Sequence, residues 1–142
     1  MRITITLALV AGTSIGLAAQ SIYTPARGSA ERKAILDALR VPVERDLKQK
    51  IVFSAENFNV MGTWAFIGGE PQRSGGSRPD YRGTRYWDAV LDEMFDNNIF
   101  ALMRKTGGRW RVVTYAIGCT DVCYADWWRR YRAPKAIFPY TE

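Results

Sequence analysis

The two cysteines are the residues whose spacing points most directly to chemistry. Cys119 and Cys123 are the only cysteines in the 142-residue chain, and three residues separate them. An even cysteine count in an exported chain favours a disulfide, which in so short a loop adds about 2 kcal/mol of stability. A thiol-redox pair prefers C-x-x-C spacing, and a metal site needs more ligands. Free thiols and a redox pair are the alternatives to a structural disulfide.

Acid–base and metal chemistry is limited by the complete absence of histidine. Histidine is the commonest general base and the commonest zinc ligand, so Ser-His-Asp, Cys-His and histidine-based metal sites are excluded. Acids that could pair for glycoside cleavage lie close together in the sequence: Asp88, Asp92, Glu93 and Asp96. Adjacent acids in a surface segment are more typical of solvated side chains. The sequence therefore indicates no catalytic residue, no metal site and no cofactor.

The best candidate binding surface is the run WWRRYR at residues 127–132. Arginine and aromatic side chains together can stack on sugars or bases and can bind phosphate. The predicted binding residues of this run are Trp128, Arg129, Arg130 and Arg132. Trp127 and Tyr131 have the spacing of a buried i, i+4 pair, which leaves Trp128 as the exposed anchor. The alternatives are a membrane-surface helix, or a core helix whose arginines are merely solvated.

A second group of arginines lies in the segment from Pro71 to Gly83, which is rich in Gly, Ser, Pro and Arg. So long a loop with little to bury is either functional or simply mobile. Arg73, Arg78 and Arg82 make it a basic flap. If this flap and the 127–132 run face the same side, they form one basic surface for an acidic partner. An envelope protein or an anionic envelope polymer would fit, and no specific nucleic acid is indicated.

The N-terminus has the pattern of a secretory signal peptide over residues 1–19. Arg2 precedes a mostly apolar, uncharged stretch, and small residues at Ala18-Ala19 suit cleavage before Gln20. Cleavage would lower the formal net charge from +6 to +5, because Arg2 is the only charged residue removed. The predicted location is periplasmic or secreted, with no transmembrane span left after cleavage. An uncleaved membrane anchor is the alternative, since the uncharged run extends to Ala26.

A short linker, 20–28, is predicted to lead into a single domain, 29–142, which is long enough for a real core. Ser29 can cap a helix that starts at Ala30. The apolar face of this helix has helical spacing and consists of Ile35, Leu36, Leu39, Val43 and Leu47. Pro42 lies inside the pattern, so we expect the helix to kink or to split after Arg40.

Two hairpins are predicted to follow. The first pairs 51–60 with 64–67 and ends where Gly68-Gly69 breaks the second strand. The second reverses at Gly107-Gly108, because glycine adopts positive φ without steric cost. Beyond that turn, simple alternation places Trp110, Val112, Thr114 and Ala116 together on the core face.

Two further helices are predicted. Residues 85–95 could form one, with Tyr86, Val90, Met94 and Leu91 facing inward, or could be an extended connection. Thr120 or Asp121 can cap a C-terminal helix that ends before Pro134. The apolar tail 136–140 then packs back on the domain. These elements predict an α+β fold with an N-terminal helix, a mainly antiparallel sheet of about four strands in two hairpins, and a C-terminal helix.

Two segments, GGRWRVVTYAIGCTDVCYADWWRRYRAPKAIFP and TWAFIGGEPQ, resemble a group of small exported proteobacterial proteins with no assigned activity. The matching positions are Gly107, Gly108, Trp110, Gly118, Thr120, Asp121, Trp127, Tyr131 and Pro134. The resemblance implies export but supplies no catalytic residue. The order of helix and hairpins is also similar, more weakly, to cystatin-like and nuclear-transport-factor-2-like folds.

Two classes of function follow from these patterns. The first is a non-catalytic periplasmic binding protein, such as an inhibitor or immunity-type partner of an envelope enzyme. Small size, predicted export, a disulfide and the lack of histidine favour it. The second is a small envelope hydrolase or thiol-redox protein, which would depend on the clustered acids or the cysteines.

Overall fold

The computed structural model describes residues 20–142, and the predicted signal segment 1–19 lies outside these residues. The elements are α1 (Ala30–Leu47), β1 (Val52–Met61), β2 (Trp64–Gln72), α2 (Trp87–Leu91), β3 (Ile99–Thr106), β4 (Arg109–Ile117) and α3 (Trp127–Arg130), followed by a 3-10 helix (Lys135–Ile137). Within residues 20–142, no helix combines the length and the apolar character needed to cross a membrane.

The four strands form one antiparallel sheet in the order β1-β2-β3-β4. Tight turns connect β1 with β2 and β3 with β4, whereas the longer segment 73–98 connects β2 with β3. Both tight turns therefore lie at the same end of the sheet. The predicted α+β fold, with an N-terminal helix, two antiparallel hairpins and a C-terminal helix, is confirmed, although the C-terminal helix is short.

Helix α1 begins where the sequence predicts, because the Ser29 hydroxyl oxygen accepts a hydrogen bond from the backbone N–H of Arg32 at 3.2 Å. Of the two alternatives predicted at Pro42, a kink or a split, the split is wrong, since α1 continues without a break to Leu47. A proline inside a helix costs about 3 kcal/mol. Apolar side chains on both sides of it are almost fully buried against the sheet, namely Ile35, Leu39, Val43 and Leu47. Packing of these side chains offsets that cost.

Each face of the sheet carries its own apolar cluster. On one face, α1 packs over residues such as Val60, Ile67 and Met103. On the other face, Phe66 and Leu102 lie beneath the C-terminal segment. The predicted tail packing is confirmed for Ile137 and Phe138, which are buried there, whereas Tyr140 is 54% exposed.

Strand β2 does not end at Gly68-Gly69, as the sequence suggested, but continues to Gln72. These glycines mark a close backbone approach instead. A Cβ atom on Gly69 would lie 2.0 Å from the carbonyl oxygen of Ser54 in β1. A bulge between Ala55 and Asn57 lies directly opposite in the ladder. The sequence showed two glycines but not the neighbouring strand that requires them.

A second bulge changes which residues of β4 face which cluster. Leu102 pairs with Thr114 and Met103 pairs with Val112, so Val113 is an extra residue. As a result, Trp110 and Val112 pack with Tyr115 and Ile117 on the α1 side, while Val113 and Ala116 pack on the opposite side. The simple alternation predicted for this strand is therefore wrong beyond Val112, because a bulge reverses the sidedness of a strand.

The predicted helix at 85–95 is confined to α2. Tyr86 and Val90 pack against the core as expected, but Leu91 and Met94 are 62% and 63% exposed. Phe95 replaces them by packing on the core, since the helix ends too early to turn Met94 inward. The stretch 20–28, predicted as a linker, is attached to the sheet, because Tyr23 forms an antiparallel bridge with Val60.

Candidate binding surfaces

A disulfide joins Cys119 and Cys123, whose Cα atoms are 6.1 Å apart, as the sequence predicted. It braces the corner that follows β4. The Asn98 side chain holds this corner to the start of β3, donating to the Cys119 carbonyl at 2.7 Å and accepting from the Cys119 N–H at 2.9 Å. The bond therefore fixes the geometry of the chain that leads into α3.

The C-terminal helix is shorter than predicted. Neither Thr120 nor Asp121 caps a helix, because residues 119–126 form turns around the disulfide and α3 has only four residues. The predicted i, i+4 pair is nevertheless present. Trp127 is 5% exposed, Tyr131 is half-buried beside the same cluster, and the Tyr131 N–H donates to the Trp127 carbonyl at 2.9 Å.

Trp128 is half-buried, not the exposed anchor that the sequence suggested. Its indole Nε1–H donates to the Glu142 carbonyl at 3.2 Å, and the Lys135 ammonium lies 4.5 Å from its ring centre. The last residues of the chain thus fold back over it, and the Glu142 N–H donates to the Ala125 carbonyl at 3.3 Å. Helical spacing alone does not reveal this return.

Four exposed cations follow Trp128 closely in the chain, and we call them the C-terminal basic surface: Arg129, Arg130, Arg132 and Lys135. Arg129 lies 3.5 Å from the Glu142 carboxylate, an exposed ion pair worth little in free energy. The Arg130 guanidinium lies 5.9 Å from the Tyr131 ring centre. Lys135, which the sequence analysis did not name, joins the predicted residues through its contact with the Trp128 ring.

The arginines of the 73–83 loop are engaged in holding the loop itself. Arg82 forms an ion pair with Asp80, and the hydrogen bonds from Arg82 lower the Asp80 pKa to about 2. Arg78 lies 5.4 Å from the centre of the Tyr81 ring, and the Arg73 guanidinium donates to the Arg78 carbonyl at 3.2 Å. All three arginines nevertheless remain exposed, so the loop keeps a basic outer surface.

The loop is also tied to the α1 side of the sheet. Tyr81 is 3% exposed within the cluster under α1, and its hydroxyl donates to the Asn97 side chain at 2.6 Å. The Gln49 side chain donates to the Asp80 carbonyl at 2.7 Å and accepts from the Asp80 N–H at 3.0 Å. Since Trp127 belongs to the opposite cluster, the loop and the 127–132 run are anchored on opposite faces of the sheet.

A polar cluster that the sequence did not reveal joins α1 to β4. The Asp46 carboxylate accepts hydrogen bonds from the Tyr115 hydroxyl at 2.5 Å, the Tyr86 hydroxyl at 3.0 Å and the Arg85 guanidinium at 2.7 Å. Burial raises the Asp46 pKa, but the bonds from Tyr115 and Tyr86 and the charge of Arg85 bring it below its usual value. Burial and the Asp46 carboxylate raise the pKa of Tyr115. This cluster stabilises the contact of α1 with β4 and with the residues just before α2.

The end of the sheet with the two tight turns carries a second basic group, which we call the hairpin end: Trp64, Arg104, Lys105, Arg109, Trp110 and Arg111. Arg104 pairs with Trp64 on one side and with Arg111 on the other, so two like charges lie directly opposite each other. Such a pair is unfavourable across a sheet. The Arg104 guanidinium lies 4.8 Å from the Trp64 ring centre. The run RKTGGRWR at residues 104–111 could have indicated this basic group, but the sequence analysis interpreted it only as a hairpin turn.

A cavity of about 280 Å³ opens beside Gly68, between the β1 bulge and the turn before β3. Its lining includes three acids, Glu56, Glu70 and Asp96, and the ring of Phe100. Of the acids that the sequence singled out, only Asp96 lines it. Among residues 20–142, no group of three or more Cys, Asp or Glu side chains has the geometry to hold a metal ion.

Comparison with known proteins gives no indication of function. No protein-family model, no curated protein and no solved structure matches the chain significantly.

Proposed function

We propose that the protein is a non-catalytic binding protein, located in the periplasm or secreted, that binds an acidic protein through the C-terminal basic surface. The observation that supports this most is the concentration of four exposed cations in residues 128–135, a stretch that also contains the half-buried Trp128: Arg129, Arg130, Arg132 and Lys135. Arginine and tryptophan are the residues in which interface energy concentrates.

The surface is held in place before any partner arrives. Trp127 anchors it in the core, where its ring meets that of Tyr124 edge-on at 6.4 Å, and the disulfide fixes the chain just upstream. Trp128 is held by its bond to Glu142. Little side-chain and backbone entropy then remains to be lost on binding, which favours affinity. An inhibitor or immunity-type protein would gain from such rigidity.

The acidic partner would compete with the protein's own acid. Glu142 already lies near Arg129 at 3.5 Å in an exposed pair. An incoming carboxylate could replace it at little cost, because exposed ion pairs contribute at most about 1 kcal/mol. Arg130 and Arg132 have no such partner among the residues that the structure describes and are exposed.

Affinity capture from the envelope fraction of the native host, with matched variants, tests this proposal. The wild-type chain should retain a stoichiometric acidic protein, and Arg129→Glu with Arg130→Glu should lose it. The control, Arg45→Glu with Lys50→Glu, reverses two charges in the same way at the C-terminal end of α1. This control should still retain the acidic protein. Capture that both double variants keep equally would contradict the proposal.

Location is tested separately on protein purified from the native host. The N-terminal sequence should begin near Gln20, because the signal segment is expected to be cleaved there. Intact Met1 in the soluble fraction would show that the signal-peptide interpretation is wrong. Turnover of a cell-wall substrate by the purified chain would instead favour the hydrolase alternative.

A further inference from the structure

The hairpin end is basic without any compensating acid. Its two segments, 61–64 and 104–111, contain four Lys or Arg residues and no Asp or Glu. None of its cations forms an ion pair with another of the residues 20–142. The cross-strand pair Arg104 and Arg111 keeps two like charges side by side. Like charges opposite each other weaken the pairing of β3 with β4, whereas an external anionic surface would relieve their repulsion.

Two tryptophans accompany these cations. Trp64 and Trp110 are half-buried. Trp64 packs against the apolar cluster beneath the C-terminal segment, and Trp110 packs on the α1 side of the sheet. The Lys105 N–H donates to the Thr63 carbonyl at 2.7 Å, which joins the two turns into one surface. Tryptophan beside Lys and Arg is typical of the boundary between lipid headgroups and acyl chains.

The chain also enters the domain at this end. The side chain of Gln20 lies against Gly62, where a Cβ atom would come within 2.3 Å of its Oε1. The 19 residues that precede Gln20 carry a single charge, Arg2, and are mostly apolar. Before cleavage, a membrane-inserted segment joined at Gln20 would bring the hairpin end next to the bilayer.

We propose that the hairpin end docks on the surface of an anionic lipid bilayer. An acidic protein would account for the arginines alone. A bilayer accounts for both the arginines and the flanking tryptophans. This proposal concerns a surface other than the C-terminal basic surface and does not depend on it.

Partition of the mature chain, residues 20–142, between buffer and vesicles tests the proposal. Vesicles of phosphatidylcholine alone are compared with vesicles that also contain phosphatidylglycerol. The gain from the anionic lipid isolates the contribution of surface charge. Arg104→Gln with Arg111→Gln should reduce that gain about 30-fold, since each cation near such a surface contributes about fivefold. The matched control, Arg45→Gln with Lys50→Gln, should change it less than threefold.

The outcomes separate clearly once thermal melts show that both double variants are folded. Loss of the gain in the hairpin variant alone, with a gain that falls as salt is added, supports the proposal. No gain in the wild-type chain would overturn it, as would equal losses in both variants. Protein capture that is lost with the hairpin variant while the lipid gain persists would also overturn it, in favour of an acidic protein at this end.

Discussion

Replacement of Gly69 by alanine tests the close contact between β1 and β2. The added Cβ would lie 2.0 Å from the Ser54 carbonyl oxygen and 2.9 Å from the Ala55 Cα. Both atoms belong to the backbone of β1, so no side-chain rotation can relieve the clash. The strand must move by roughly 1 Å at its bulge, since Cβ atoms do not approach other heavy atoms within 3.0 Å.

The expected cost follows from the kind of contact. Overpacking a well-packed core costs about 1–3 kcal/mol, and a clash with backbone belongs at the upper end of that range. Alanine also reduces the entropy of the unfolded chain, which returns about 0.4–1 kcal/mol. We therefore expect Gly69→Ala to lower the free energy of unfolding by about 2–3 kcal/mol, which corresponds to a fall in Tm of about 10 °C.

Gly68→Ala is the matched control, because it makes the same change one residue earlier in the same strand. Its Cβ would meet the Phe100 ring at 3.2 Å, and that ring can tilt away. The free energy of unfolding should change by less than about 1 kcal/mol. Urea unfolding of the two variants and the wild type decides the matter. Equal stability of the two variants would refute the explanation given for Gly69.

The remaining predictions concern the C-terminal half and pH. Trp127→Ala should cost about 3–5 kcal/mol, as for a large aromatic in a core, and Trp128→Ala only about 1–2 kcal/mol, since it is half-buried; equal melting points would contradict this difference. Replacing Cys119 and Cys123 by serine should cost about 2 kcal/mol without preventing folding, measured by urea unfolding against the oxidised wild type. The Asp46 pKa is lower in the folded state than in the unfolded state, so the Asp46 carboxylate stabilises the fold above pH about 4, and this stabilisation is lost as pH falls through the folded pKa. The free energy of unfolding of Asp46→Asn should therefore depend less on pH in this acid range than that of the wild type.

Local signals in the sequence predict most of the fold. The helical spacing from Ile35 to Leu47 and the Ser29 cap specify α1, because both depend on residues within a few turns of one another. The Gly107-Gly108 reversal specifies the second hairpin for the same reason. The disulfide and the buried Trp127 follow from short spacings. These features needed no knowledge of distant parts of the chain.

The features that the sequence missed depend on residues far apart in the chain. Gly69 is required by Ser54 on another strand, and Trp128 is covered by the chain end 14 residues later. Asp46 meets a tyrosine 69 residues away. The continuity of α1 through Pro42 likewise depends on burial against the sheet. The bulge at Val113 has no marker of its own, so alternation failed there.

The order of the strands has a consequence for folding kinetics. Each hairpin closes between neighbouring segments, whereas the bond from Tyr115 to Asp46 must bring α1 to the last strand. Contacts of such sequence separation carry the larger loop-closure cost, so we expect them to form after the transition state. Tyr115→Phe should then accelerate unfolding and leave the refolding rate nearly unchanged, whereas substitutions at the Gly107-Gly108 turn should slow refolding. Stopped-flow measurements across a urea series give both the folding and the unfolding rates. A slower refolding rate for Tyr115→Phe would show that α1 docks on β4 before the transition state.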